Sequence, residues 1–190
     1  MNASATVLAQ QPVATAEASV ARRSAQPLPS PAVLRQRLPL NDALAARIHN
    51  DRSAIRAVLD SRDPRLLVVV GPCSLHDPVA ALEYAERLAA LAPDVSDQLL
   101  LVMRAYVEKP RTTVGWKGLV YDPHLDGSGN MAEGLHLSRR LMLDILETGL
   151  PIATELLQPL AAGYFDDLLG WAAIGARTSE SQIHRELVSG

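Results

Sequence analysis

One cysteine, Cys73, stands in a chain of 190 residues, so no disulfide can form within it. That usage suits a reducing compartment, and the expected location is the cytoplasm. Aromatic residues make up only 4%, so most of the 48% hydrophobic content is aliphatic. A run of about 18 apolar residues is missing, so no membrane-spanning helix is expected. The first residues lack a basic start followed by an apolar stretch, which argues against a secretory signal. Arg22, Arg23, Arg35 and Arg37 in an Ala/Ser-rich leader leave organelle targeting open as an alternative. Excess charge of one sign is also lacking, with a formal net charge of -3. The positive charge is local, so neither nucleic acid nor an anionic membrane is an expected partner.

Large apolar residues are sparse in residues 1–31, which are rich in Ala, Ser, Gln, Thr and Pro and read as a disordered tail. Over residues 38–61 two short helices are expected. Asn41 or Asp42 would cap the first and Ser53 the second, with Ile55, Val58 and Leu59 sharing a face. After Pro64 the pattern changes to alternating strands and helices. Residues 66–70 form an apolar run ended by Gly71 and Pro72. Asp77 before Pro78 caps a helix with Leu82, Ala85, Leu88 and Ala89 on one face.

Residues 99–106 make a second strand, and a polar loop leads to a helix carrying Leu135, Met142, Ile145 and Leu146, ended by Gly149 and Pro151. Residues 151–157 read as a third strand, 160–169 as a helix and 172–176 as a fourth strand. Ser179 and Gln182 have capping-box spacing before a last helix, with Ile183 and Leu187 inward. Four successive strand-helix units indicate an α/β protein whose parallel sheet forms an arc with helices outside.

The chemistry gathers where the second strand ends. Leu99 to Met103 is a continuous apolar run, and Arg104, Lys109 and Arg111 follow it closely. Three cations around one strand end require anions. Glu108 and other carboxylates could supply them, or a phosphate could, since arginine forks match phosphate oxygens. Cys73, residues 104–112, Glu155 and Arg177 all fall at or just past the C-terminal ends of strands, the end that carries active sites in parallel α/β barrels. From the residues alone, a single cysteine beside an apolar strand is ordinarily a buried structural thiol. Asp122, His124 and Asp126 have donor-like spacing, which a solvated turn explains equally well.

Three segments carry a resemblance: GPCSLHDP at 71–78, RAYVEKPRTTVGWKGL at 104–119 and GARTSESQIHRE at 175–186. In order and spacing they resemble signature segments of the type I 3-deoxy-D-arabino-heptulosonate 7-phosphate (DAHP) synthases, over roughly residues 64–190. The resemblance implies a TIM (β/α)8 barrel, of which residues 64–190 would make the N-terminal half and residues 32–63 the helices before it. A whole barrel takes about 250 residues, so roughly four of the eight units are expected here.

The implied reaction condenses phosphoenolpyruvate with erythrose 4-phosphate. By resemblance, Arg104 and Lys109 hold phosphoenolpyruvate, with Arg177 and the backbone around Ala176 on its phosphate. Pro110, Arg111 and Thr112 resemble the erythrose 4-phosphate site, and Glu155 stands by the reacting carbon. Lys109 is a candidate proton donor, whereas Glu155 would otherwise be an ion-pair partner of Arg104 or Arg177. Cys73 would be one ligand of a divalent metal ion (Mn, Fe, Co or Zn), completed by a histidine, a glutamate and an aspartate from the second half of the barrel.

The resemblance also implies a homo-oligomer and feedback inhibition by an aromatic amino acid, with Gln158 in the region that contacts the inhibitor in some members. Because the chain carries about half of the barrel, it is expected to be incomplete alone. Alternative readings are a non-catalytic module that docks on longer relatives, and another phosphosugar synthase using phosphoenolpyruvate.

Overall fold

The structure, a computed structural model, describes residues 27–111 and 113–189. Most of the expected tail, together with Thr112, therefore lies outside the described residues. The expected boundary at 31 belongs to a helix instead. Helix α1 (Pro31–Arg37) opens with proline in its first turn, where an amide is not needed, and the Ser30 side chain accepts from the Val33 amide at 3.3 Å.

Helix α2 (Asp42–Leu59) is a single helix of 18 residues, not the expected pair. Asn41 caps it, accepting from the Leu44 amide at 2.8 Å. Ser53 caps nothing; it lies inside the helix and its hydroxyl donates back to the His49 carbonyl at 3.0 Å. Good helix formers on both sides carry the backbone through this position. Ile55 is buried, but Leu59 is exposed.

The remaining elements alternate: β1 (Leu66–Val70), α3 (Pro78–Leu91), β2 (Leu99–Arg104), α4 (Met131–Glu147), β3 (Ile152–Leu156), α5 (Pro159–Phe165), β4 (Trp171–Ile174) and α6 (Gln182–Ser189). Asp77 caps α3 as expected, accepting from Val79 and Ala80. The sheet has four parallel strands in the order β1-β2-β3-β4. Leu66 pairs with Leu99, Met103 with Ile152 and Ala153 with Trp171. Neighbours in sequence are neighbours in the sheet, the order that short right-handed crossovers produce.

Strand alternation divides the apolar residues between two faces. Val68, Leu101, Met103 and Ile152 belong to the main core with the helices. Leu67, Val69, Leu100, Val102, Ala153 and Trp171 face the other way and pack around Ile55 of α2. Continuing the period of two past Val102 and Ala153 puts Arg104 and Glu155 on that second face, at the C-terminal end of the sheet.

Arginine contacts, one of them buried, hold the first two helices on the α5 corner. Arg139 of α4 is 0% exposed and donates to the Leu38 and Tyr164 carbonyls, each at 2.9 Å, and to both Asp167 oxygens at 2.8 and 2.7 Å. Arg35 pairs with Asp166, and Arg52 donates to the Leu169 carbonyl at 2.8 Å. Among the described residues no helix is long and apolar enough to cross a membrane.

Candidate active site at the C-terminal rim of the sheet

Segments following all four strands meet at one rim. After β1 the chain turns through Gly71, Pro72 and Cys73. A Cβ on Gly71 would stand 2.7 Å from the Arg104 carbonyl oxygen, so only glycine admits this approach. The Arg104 guanidinium lies across the turn, donating to the Gly71 carbonyl at 2.7 Å and the Pro72 carbonyl at 3.1 Å, with its carbon 5.3 Å from the Tyr106 ring centre. Lys109 reaches the same turn, its Nζ 2.8 Å from the Cys73 carbonyl and 3.1 Å from Sγ.

Cys73 is exposed, which corrects the ordinary reading of a buried thiol. The Lys109 hydrogen bond, then its charge, hold the thiol below the usual range.

The loop after β2 doubles back on itself. Lys109 donates its amide to the Lys117 carbonyl at 2.9 Å, and Val120 donates to Val107 at 3.2 Å. Gly118 makes this possible with φ +111, since a Cβ there would come within 2.4 Å of the Val107 carbonyl oxygen. Lys117 is thereby brought beside Lys109. Glu108, just before Lys109, is turned inward and is 4% exposed. Its carboxylate accepts from the Tyr121 hydroxyl at 2.9 Å and from the Leu157 amide at 3.3 Å. Burial pushes the Glu108 carboxyl upward despite these donors, and burial followed by the Glu108 charge pushes the Tyr121 phenol upward.

A cleft of about 550 Å3 opens above Glu108. Lys109, Pro110, Arg111 and Lys117 form one wall, and Gly175, Ala176, Arg177 and Thr178 form the other. Glu155, Leu157 and Gln158 lie between the walls. Among the described residues no carboxylate comes within 4.0 Å of the side-chain nitrogens of Arg104, Lys109, Arg111, Lys117 or Arg177. Neither Glu108 nor Glu155 serves these cations as an ion-pair partner. Glu155 fits beside Gly175, where a Cβ would sit 2.9 Å from its Oε1.

Arg177 occupies a 3-10 turn over Ala176–Thr178, closed by the Thr178 hydroxyl donating to the Gly175 carbonyl at 2.8 Å. Strand β4 ends at Ile174, short of the expected 176, and α6 starts at Gln182, so the Arg177 turn lies between strand and helix. The capping box does not form. Ser179 donates to the Ala176 carbonyl at 2.8 Å, and Gln182 pairs with Glu186. Ile183, expected inward, is 61% exposed, whereas Leu187 packs on the core. His184 of α6 has Nε2 3.0 Å from the Leu157 carbonyl oxygen and Nδ1 2.8 Å from the Ser181 hydroxyl.

Lys109, Pro110, Arg111, Glu155, Ala176 and Arg177 thus share one cleft; Cys73 adjoins it through Lys109, and Arg104 lies outside its lining, bound to the same turn after β1. Lys117, Tyr121 and Thr178 join the lining without having been singled out from the sequence. Lys117 lies within the quoted segment, but only the Gly118 turn reveals its proximity to Lys109. The DPHLDGSG segment is a tied turn, with Asp122 accepting from Gly127 and His124 Nε2 3.1 Å from Glu133. Among the described residues no three of His, Cys, Asp and Glu converge as a metal site. Cys73 is therefore a lone donor, already engaged by Lys109, and the donor set present does not by itself fit a divalent ion.

The DAHP synthetase I family matches residues 43–190. A Tyr-sensitive phospho-2-dehydro-3-deoxyheptonate aldolase of Escherichia coli K12 is 56% identical over 165 residues, covering 87% of this chain and 46% of that protein. A Trp-sensitive phospho-2-dehydro-3-deoxyheptonate aldolase of Enterobacter agglomerans is 56% identical over 151 residues, covering 80% of this chain and 43% of that one. The solved phospho-2-dehydro-3-deoxyheptonate aldolase from Francisella tularensis SCHU S4 superposes with a TM-score of 0.85 at 46% identity, over 88% of this chain and 49% of its own. The chain spans about half the length of these relatives. From the three segments, the parallel sheet and these matches, it follows that the chain belongs to the DAHP synthetase I family.

Proposed function

We propose that this chain supplies the reactant-gripping half of a 3-deoxy-7-phosphoheptulonate synthase, which condenses phosphoenolpyruvate and erythrose 4-phosphate with water to give DAHP and phosphate. This is the first step of the shikimate pathway to aromatic amino acids. One observation carries the reading: Arg104, Lys109, Arg111, Lys117 and Arg177 gather at the sheet rim with no carboxylate within 4.0 Å among the described residues. Two phosphorylated reactants repel each other, and cations already in place offset that repulsion while bringing the reacting carbons into register.

In this reading Lys109 and Arg104 hold phosphoenolpyruvate, with Arg177 and the Ala176 backbone on its phosphate. Arg104 has two N–H groups committed to the Gly71 and Pro72 carbonyls and keeps its other donors for a ligand. Pro110 and Arg111 take erythrose 4-phosphate, with Thr112 completing the segment. The methylene carbon of phosphoenolpyruvate bonds to the aldehyde carbon, and the aldehyde oxygen gains a proton. Water then adds to the neighbouring carbon that bears the phosphate, giving up a proton, and phosphate leaves with its bridging oxygen as the ketone forms. Lys109 is assigned the proton delivered to that oxygen, and Glu155 stands by the reacting carbon.

The divalent metal ion is part of this reading as well: Cys73 would give one thiolate, with a histidine, a glutamate and an aspartate from the second half of the barrel as the remaining donors. The steps assigned to this chain run through its own side chains. The names of the relatives, Tyr-sensitive and Trp-sensitive, support control by an aromatic amino acid, and Gln158 at the cleft is the candidate contact. We place the protein in the cytoplasm, as a homo-oligomer when complete; the lone cysteine supports the location.

Phosphate release tests the reading. The chain is assayed alone and joined to the remaining half of the Escherichia coli relative, with erythrose 4-phosphate or arabinose 5-phosphate as acceptor. Release by the joined protein with erythrose 4-phosphate is expected. A preference for arabinose 5-phosphate, or no release with either acceptor, contradicts the proposal.

A further inference from the structure

We infer that Glu108 is a positioning residue that holds the two cationic walls of the cleft at a set spacing. The inference rests on the proposed function for its ligand, and on geometry for the residue itself. Glu108 is the residue just before Lys109, and its carboxylate binds two separate segments: the Tyr121 hydroxyl on the loop after β2 and the Leu157 amide just past β3. The Leu157 carbonyl is in turn within hydrogen-bond reach of His184 on α6, the helix that follows the Arg177 turn. A continuous line of contacts therefore runs from Tyr121 to Glu108, the Leu157 peptide, His184 and Ser181, whose amide donates to the Thr178 carbonyl at 3.0 Å, so it joins the loop after β2 to the Arg177 turn.

Burying a carboxylate is unfavourable unless donors compensate it, and an apolar side chain would fill the same space at no such cost. The acid makes sense as a two-armed tie. Its consequence is selective. In the proposed site, phosphoenolpyruvate reaches from Lys109 to Arg177 with an anionic group at each end, so its affinity depends on wall spacing; a misplacement of about 1 Å can cost on the order of 100-fold. Inorganic phosphate needs one wall only.

Titration calorimetry with phosphoenolpyruvate and with inorganic phosphate tests this on the full chain and on Glu108→Ala, Glu108→Gln and Tyr121→Phe. Tyr121→Phe keeps the ring and its packing, so it reports even where Glu108→Ala fails to fold. Phosphoenolpyruvate affinity should fall about tenfold in Tyr121→Phe and more in Glu108→Ala, with Glu108→Gln, which keeps one acceptor oxygen, recovering part of the loss. Inorganic phosphate affinity should stay within about twofold throughout. Equal losses for both ligands, or no loss for either, overturn the positioning role while leaving the cleft a phosphate site. If the unaltered chain binds neither ligand, the proposed function fails and the positioning role fails with it.

Discussion

Lys109 Nζ lies 3.1 Å from Cys73 Sγ and 2.8 Å from the Cys73 carbonyl oxygen, joining the loop after β2 to the turn after β1. The same ammonium stands 5.9 Å from the Tyr106 ring centre, and Lys109 also lines the cleft that reaches Arg177. One side chain thus connects the thiol to the cationic rim.

The Cys73 thiol should respond to that contact. Lys109 holds its pKa below the ordinary value of about 8.5, so more thiolate is present at neutral pH than in a free cysteine. Replacing Lys109 with methionine removes both the hydrogen bond and the charge. Alkylation of Cys73 by iodoacetamide at pH 7 should slow several-fold, and the rate-against-pH curve should move to higher pH. Superimposable curves for the two proteins would show that the contact does not act on the thiol.

Glu108 leaves a signature in stability. Its folded pKa is raised, so the folded chain binds the proton more tightly than the unfolded chain, and stability falls as pH rises from about 4.3 through the folded value. Glu108→Gln has no such proton. In urea unfolding, the stability of Glu108→Gln relative to the unaltered chain should rise across that window. A pH-independent difference would mean that the carboxyl is not held up by burial.

Arg139 is committed to two carbonyls and to Asp167 in a dry site. Arg139→Met leaves the two carbonyls without this donor and Asp167 with Arg35 alone, 3.8 Å away, and should cost about 3 kcal/mol, read as a clear drop in thermal midpoint. Replacing Asp167 with leucine as well should return part of the loss, because the weakly compensated charge goes with it. A loss under about 1 kcal/mol in the single variant would contradict this role for the buried pair.

Much of the architecture was legible because local signals agreed with the tertiary result. The Asp77-Pro78 start of α3, the apolar run at Leu99 to Met103 and the periodic face of α4 each read as they fold. Ser53 misled because a cap residue and a helix-interior serine look alike until the backbone on both sides is known. Ser179 misled similarly, its hydroxyl being drawn to Ala176. At the site, the residues of the cationic rim were visible as positions after strands. Their freedom from carboxylates was not, since it depends on Glu108 turning toward Tyr121 and Leu157. Lys117 entered the site through a backbone turn that only Gly118 permits, a relationship with no periodic trace in the sequence.

Calorimetric titration of phosphoenolpyruvate into this chain, repeated in Arg177→Ala and Lys117→Ala and at raised salt, is the most direct measurement of the claim that the rim cations serve phosphorylated reactants. The account predicts one-to-one binding that weakens about tenfold with each cation removed and further as salt screens the rest. Absence of binding, or binding that ignores both substitutions and salt, would contradict it.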